Sequence, residues 1–294
     1  RKVENNPQQA SFLIQLAGHY LLTRRREDLE AVIGRLADEK RFPEGHLLAG
    51  DFFFFRAREF ERARIQYDAG VKAFPKERAL YQRRLVELLA TTGRNPDANQ
   101  LLASILKDNP KDNDAIAMRA ALRLQTGDLT QITQATNDLQ SLVSKSPENH
   151  LLRFNLARGY LAKNDPEQAR LHLEAAIKIR PDFLVARNLL ARIYLRKGDN
   201  AKALKEADDV IALNKDDVPA RLTRSTALMG LGDKEKARLE LETVLKLSPN
   251  NSDARYQVGY LAWQDKDYQR AGKVFARDEA RHQRLGFFGS STGG

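Results

Sequence analysis

Histidine is the side chain best suited to metal ligation and to proton transfer near neutral pH. The chain has five: His19, His46, His150, His172 and His282. They are scattered, and none falls into a metal-ligating spacing such as H-E-x-x-H. There are no cysteines, which excludes thiolate chemistry and disulfides. No Gly-rich phosphate loop follows a strand pattern. Carboxylates are plentiful but interleaved with Lys and Arg, as on solvated helices. No catalytic set, metal site or cofactor is therefore expected. Among the charged residues that do keep a spacing are arginines. Arg153, Arg187, Arg221 and Arg255 recur at one constant interval. Their stems can pack between helices while the heads reach water, or the heads can form a basic ladder that reads an acidic partner.

The 294 residues suffice for two ordinary domains or one long array. Net charge is +10 and 30% of residues are charged, which admits nucleic acid, an acidic membrane surface or acidic proteins as partners. The one tight basic run, Arg24-Arg25-Arg26, reads as a solvated helix end. No apolar run is long enough to span a bilayer; the segment Phe12 to Leu22 is interrupted by Gln15 and His19. The first residue is Arg1, so an upstream signal or anchor is compatible with the sequence. The lack of cysteine fits a reducing cytoplasm and a periplasm equally.

The arginine spacing belongs to a wider repeat. Asp165, Asp199, Asp233 and Asp267 recur at the same interval, as do Ala169, Ala203, Ala237 and Ala271. Earlier segments follow with small insertions: one residue in the turn after "LVELLATTG" and three after Gly127-Asp128. The repeats lie near residues 10–43, 44–77, 78–112, 113–149, 150–183, 184–217, 218–251 and 252–284, with a flexible tail at 285–294. Each reads as two helices. Gly127, Asn164, Gly198 and Gly232 suit a left-handed helix end. An Asp then opens the second helix, favoured there by the helix dipole, and Pro75, Pro110, Pro147, Pro181 and Pro249 end it. Small residues let the two helices approach closely, with Tyr160 and Tyr194, then Leu173, Leu241 and Phe275, filling beside them.

A helix-turn-helix of this period and pattern resembles the tetratricopeptide repeat family. The resemblance spans nearly the whole chain and implies an all-α fold: a right-handed superhelical solenoid of about eight tandem repeats with no internal domain boundary. It further implies that first helices line a concave groove that grips peptides or helices of partner proteins. The aromatic residue usual early in the first helix is replaced here by the arginines at 153, 187, 221 and 255. Relatives that hold a C-terminal carboxylate use a Lys and Asn clamp; Asn188 and Arg192 stand in matching slots, but the set is incomplete, so that activity is not expected.

Helical periodicity in the fifth repeat gives Leu156, Ala157 and Tyr160 to the core and the opposite face to the groove. Carried along the chain, this places Ile14, Leu21, Leu48, Phe52, Phe55, Arg56, Val86 and Leu89 in the N-terminal groove. Phe154, Arg158, Leu161, Asn188, Arg192 and Arg196 follow in the middle, and Tyr256, Tyr260 and Trp263 at the end. The four phenylalanines of "DFFFF" fan out by roughly 300° on a helix. Phe54 is expected in the aromatic core slot that Tyr160 and Tyr194 fill later, Phe53 against a neighbouring repeat, and Phe52 and Phe55 in the groove. Asp51 falls in a small-residue slot, which the sequence does not explain. The expected function is a non-catalytic protein-interaction scaffold for a multiprotein complex, in a cell-envelope or secretion setting by family habit, with a bacterial style of repeat. Self-association is compatible. Two alternatives are the repeat region of a larger enzyme and an RNA-binding helical repeat; mixed side chains at the groove slots make nucleic acid the weaker expectation.

Overall fold

The computed structural model describes residues 9–269 and 271–274. Phe275, the end of the array at Arg284, and the tail lie outside them. Among the described residues every regular element is helical, giving the all-α solenoid of tandem helix pairs that the repeat implies. Contacts cluster into two blocks, one ending at Asp138 and one starting at Leu139. The N-terminal block contains α1 (Ala10–Leu22), α2 (Arg26–Leu36), α3 (Gly45–Asp51) with a π-helical turn over Phe52–Ala57, α4 (Phe60–Ala73), α5 (Arg78–Thr91), α6 (Asn95–Asp108) and α7 (Asn113–Arg123). Helix α8 (Leu129–Lys145) contributes its last residues to the C-terminal block. That block continues with α9 (His150–Ala162), α10 (Pro166–Ile179), α11 (Leu184–Arg196), α12 (Asn200–Leu213), α13 (Val218–Gly230), α14 (Lys234–Leu247) and α15 (Ser252–Gln264).

The turn inside each repeat is built by two local devices. After α9, the Asp165 N–H donates to the Tyr160 carbonyl (2.8 Å) and the Asn164 N–H to the Leu161 carbonyl (3.0 Å), with Asn164 at φ +60°. This left-handed closure uses up the last orphan carbonyls of the helix. The same pair of bonds closes α11 through Gly198 and α13 through Gly232. The aspartate then caps the next helix: the carboxylates of Asp165, Asp199 and Asp233 accept the N–H three residues on at 3.1, 3.2 and 3.2 Å. In the fourth repeat the three additional residues extend the second helix rather than its turn. Helix α8 has 17 residues where α10, α12 and α14 have 14.

The four phenylalanines follow a different course from a regular helix. Over Phe52–Ala57 the chain is π-helical, and the closing bond runs from the Glu59 N–H to the Phe53 carbonyl at 2.9 Å. It spans six residues where the other turns span five, so one residue is inserted. Counting back from the turn, Phe53 therefore stands where Tyr160 and Tyr194 stand, correcting the assignment of Phe54 to that slot. The placement of the basic side chain three past the turn agrees: Arg62 lies over Phe53 at 3.9 Å, as Lys202 lies over Tyr194 at 5.5 Å. The same shift puts Gly50, not Asp51, in the small-residue slot. A Cβ on Gly50 would sit 2.3 Å from the Tyr67 ring. Asp51, displaced by one position, accepts the Tyr67 hydroxyl at 2.7 Å and pairs with Arg84 at 3.0 Å. Burial, then the Asp51 bond, pushes the Tyr67 phenol pKa up.

Phe52 is consequently 3% exposed and packs edge-on to Phe53 at 5.6 Å. It belongs to the core, not to a groove; of the four, only Phe55 is exposed. A one-residue offset also affects the third repeat. The Arg94 N–H donates to the Leu89 carbonyl at 2.8 Å, which gives Leu89 the slot of Tyr160 and Val86 that of Ala157. Both are buried with Leu85 and Leu102 in place of the groove position expected for them.

Candidate functional site

The arginine ladder is occupied within the protein. Arg187 donates Nε to the Pro181 carbonyl (2.9 Å) and Nη1 to Glu206 (2.6 Å) and Asp209 (2.8 Å). Arg221 repeats this with the Lys215 carbonyl (2.8 Å) and Glu240 (2.7 Å). Arg153 donates Nε to the Pro147 carbonyl at 2.6 Å, and Arg255 donates Nη2 to the Asn250 carbonyl at 3.0 Å. Arg119, one interval before Arg153, pairs with Asp138 at 3.2 Å. Arg187 and Arg221 fasten both the preceding turn and the second helix to the first; Arg153 and Arg255 hold the turn and Arg119 the second helix. Neither the free heads nor a ladder for an outside partner describes them.

In the C-terminal block, first helices α9, α11, α13 and α15 line two adjoining clefts. One, of about 610 Å³, is walled by Phe154, Leu161, Val185 and Leu189, with Arg158, Asn188 and Arg192 among them. The other, of about 790 Å³, runs from Arg192 and Leu195 across Leu222, Thr226 and Met229 to Tyr256 and Tyr260. Arg192 and Pro219 belong to both. Trp263, 55% exposed, continues the aromatic end by stacking on Tyr260, with ring centroids 6.0 Å apart. Arg196 is exposed and lines neither cleft.

The arginines here are in no direct ion pair among the described residues, although the Asp217 carboxylate lines the first cleft and that of Asp253 the second. Arg158 donates Nη1 to Asn155 at 3.1 Å, and burial lowers its guanidinium pKa with no carboxylate to oppose the shift. Arg192 and Arg196 form no ion pair among the described residues. Asn188 is anchored by donating Nδ2 to the α13-capping carboxylate of Asp217 at 3.2 Å, while its buried Oδ1 has no donor. Arginines between apolar walls suit an incoming carboxylate with apolar neighbours.

Helix α13 contributes lining residues that the sequence reading missed. Thr226 lies one repeat period after Arg192 and one before Tyr260, and Met229 stands likewise between Leu195 and Trp263; the repeat register was the available signal. In the N-terminal block, Ile14 and Leu21 are half-buried against the core cluster of Leu13, Phe53 and Tyr67. Leu48 is half-buried, and Arg56 is exposed, its guanidinium lying beside Gly18. Phe55 is exposed beside Arg84, 5.7 Å from ring centre to guanidinium. Among the described residues no group of His, Asp and Glu is arranged to hold a metal, and no helix is long and apolar enough to cross a membrane.

Tandem helix pairs closed by left-handed turns and lined on one face by their first helices define a helical-repeat interaction scaffold. Sequence models described as tetratricopeptide repeat match residues 54–113, 128–193, 160–223 and 222–283, and the chain belongs to the tetratricopeptide repeat family. None of the curated proteins matches it. Among solved structures, a tetratricopeptide repeat protein from Parabacteroides merdae ATCC 43184 superposes with TM-score 0.56 at 17% identity, over 81% of this chain and 92% of that one. MamA from AMB-1 gives TM-score 0.50 at 18% identity, over 58% and 98%. A thermophilic TPR protein of Thermus thermophilus, TTC0263, gives 0.49 at 23%, over 62% and 97%. The first of these carries the likeness of fold over most of the chain.

Proposed function

We propose that the chain is a non-catalytic scaffold whose C-terminal trough receives a segment of a partner protein during assembly of a multiprotein complex. The segment carries an acidic side chain flanked by apolar ones. The observation that supports this is the pair Arg158 and Arg192, cations without carboxylate partners set between apolar walls. Arg158 is half-buried, and an unpaired guanidinium there costs desolvation that an arriving carboxylate offsets; Arg192 is exposed and open to the incoming acid. Because both clefts share Arg192, the acidic residue seats there. One apolar side chain then turns towards Phe154 and Leu161, another towards Met229 and Tyr260. Neighbouring helices lie about 8–10 Å apart and an extended chain rises about 3.3 Å per residue. From α9 to α13 or α15 is two or three such steps, so the two apolar anchors are roughly five to nine residues apart in an extended ligand.

A random peptide library displayed on phage tests this directly. Selection on the wild-type chain is expected to enrich sequences with Asp or Glu between spaced apolar residues. Arg192→Glu is expected to weaken a selected peptide by tenfold or more, the order of a charged hydrogen bond. Arg158→Gln should weaken it less. Selected peptides without acidic residues, or equal affinity for the Arg192→Glu chain, would refute the reading. Binding of mixed single-stranded RNA with a steep salt slope would favour the nucleic-acid alternative in its place.

A further inference from the structure

In the ladder, three of the five first-helix arginines meet a carboxylate at one fixed separation, in the second helix of their repeat, and Arg255 has Val274 at that place. Arg119 meets Asp138, Arg187 meets Glu206 and Arg221 meets Glu240. At that same separation after Arg153 stands His172. Its ring is half-buried, stacked on Tyr160 with centroids 5.5 Å apart and planes at 7°, and its buried Nδ1 has no hydrogen-bond partner. One repeat thus sets a titratable base where its neighbours set a permanent anion.

We propose that the α9–α10 hairpin is an acid-sensitive joint of the array, opened by protonation of His172 against the Arg153 guanidinium. No carboxylate is placed to neutralise a second cation there. From α9 the groups facing His172 are Arg153 and the Tyr160 hydroxyl, which is given to Gln140 at 3.0 Å. From α11 the titratable groups are Tyr194, whose hydroxyl donates to Glu174 at 2.7 Å, and Arg187, held by Glu206 and Asp209. On α10 itself Glu174 is engaged by Arg170 at 2.7 Å. Burial, followed by the Arg153 charge, lowers the His172 pKa. A depressed folded-state pKa gives stability that is present above the unfolded histidine value and is lost as pH falls through and below it. The window therefore opens downwards from about pH 6.5. The proposal does not depend on the trough having a ligand, although α9 carries Phe154, Arg158 and Leu161 and an opened hairpin would unmake that wall.

Amide hydrogen exchange on the whole chain, corrected for intrinsic pH dependence, separates the hairpins. Between pH 7.5 and 5.5 the opening constant of residues 150–179 is expected to rise by up to about tenfold, the limit for a histidine kept neutral in the fold. Residues 218–247, with the Arg221–Glu240 pair, should not show that rise. His172→Glu restores the carboxylate and should both slow exchange and abolish the added pH response. His172→Gln should abolish the response without slowing exchange, and both variants are made on a His150→Gln background to remove the other histidine of the hairpin. An equal response in the two hairpins, or one that survives in either variant, overturns the proposal.

Discussion

The inserted residue in the π-helical turn predicts that one phenylalanine can be deleted. Phe55 is 49% exposed, touches Phe54 at 4.6 Å between ring centroids and lies beside Arg84. Removing it forfeits half the burial of a Phe side chain, about 1–1.5 kcal/mol, and an exposed cation–π contact of roughly 0.5–1 kcal/mol. In return the closing bond from Glu59 spans five residues, as in the other turns, while Gly50 and Phe53 keep their slots. The net expectation is a loss of about 2 kcal/mol with the fold retained. Deleting Leu161 from the regular helix α9 is the contrast. There the missing residue turns the end of the helix by about 100°, so either the Asn164–Asp165 closure or the Leu156, Ala157 and Tyr160 face goes out of register. That deletion should cost more than about 4 kcal/mol, a size reserved for disrupted cores. Urea denaturation followed by far-ultraviolet circular dichroism compares the two. Equal destabilisation by both deletions would show that Phe55 is not surplus and that the register assigned to Gly50 and Phe53 is wrong.

Two further substitutions probe features fixed by packing and charge. Gly50→Ala drives a Cβ into the fully buried Tyr67 ring, which Asp51 holds in place. A loss of roughly 1–3 kcal/mol is expected from overpacking, and unchanged urea stability would remove the case for close approach. Glu240→Leu strands Arg221 and takes one of two carboxylate partners from Arg224, each paired to Glu240 within 2.7 Å. It should cost about 3–5 kcal/mol, as for breaking a buried pair, with Arg224 retaining Asp208; thermal unfolding with no shift in Tm would place the ladder outside the stabilising contacts.

What the sequence disclosed was set by how local the physics is. The aspartate caps and the left-handed Gly and Asn ends depend on hydrogen bonds within six residues, so their spacing announced the repeats. The arginine spacing was equally visible, but its meaning lay in a carboxylate on the other helix of the pair: Glu206 and Glu240 keep the same interval, yet which partner an arginine meets is decided by helix packing. Phe52, Val86 and Leu89 were assigned to the groove by carrying one repeat's face across one-residue insertions. On a helix one residue is a rotation of about 100°, enough to turn a wall residue into a core residue. Where repeats align without a gap, Phe154, Arg158, Asn188, Arg192 and Tyr260 keep one register and line the clefts of the C-terminal block. The same register held Thr226 and Met229, overlooked because Thr and Met give a weaker chemical cue than Arg or Tyr.

The Arg187 fastening is closed over a short stretch. Its carbonyl at Pro181, its guanidinium and its carboxylates at Glu206 and Asp209 all fall between Pro181 and Asn214, a window no longer than the repeat itself. A tandem duplication of that window would therefore bring every atom of the fastening with it. The gene can lengthen the array in one recombination step without first evolving a new joint, and each added copy extends the trough by another first helix.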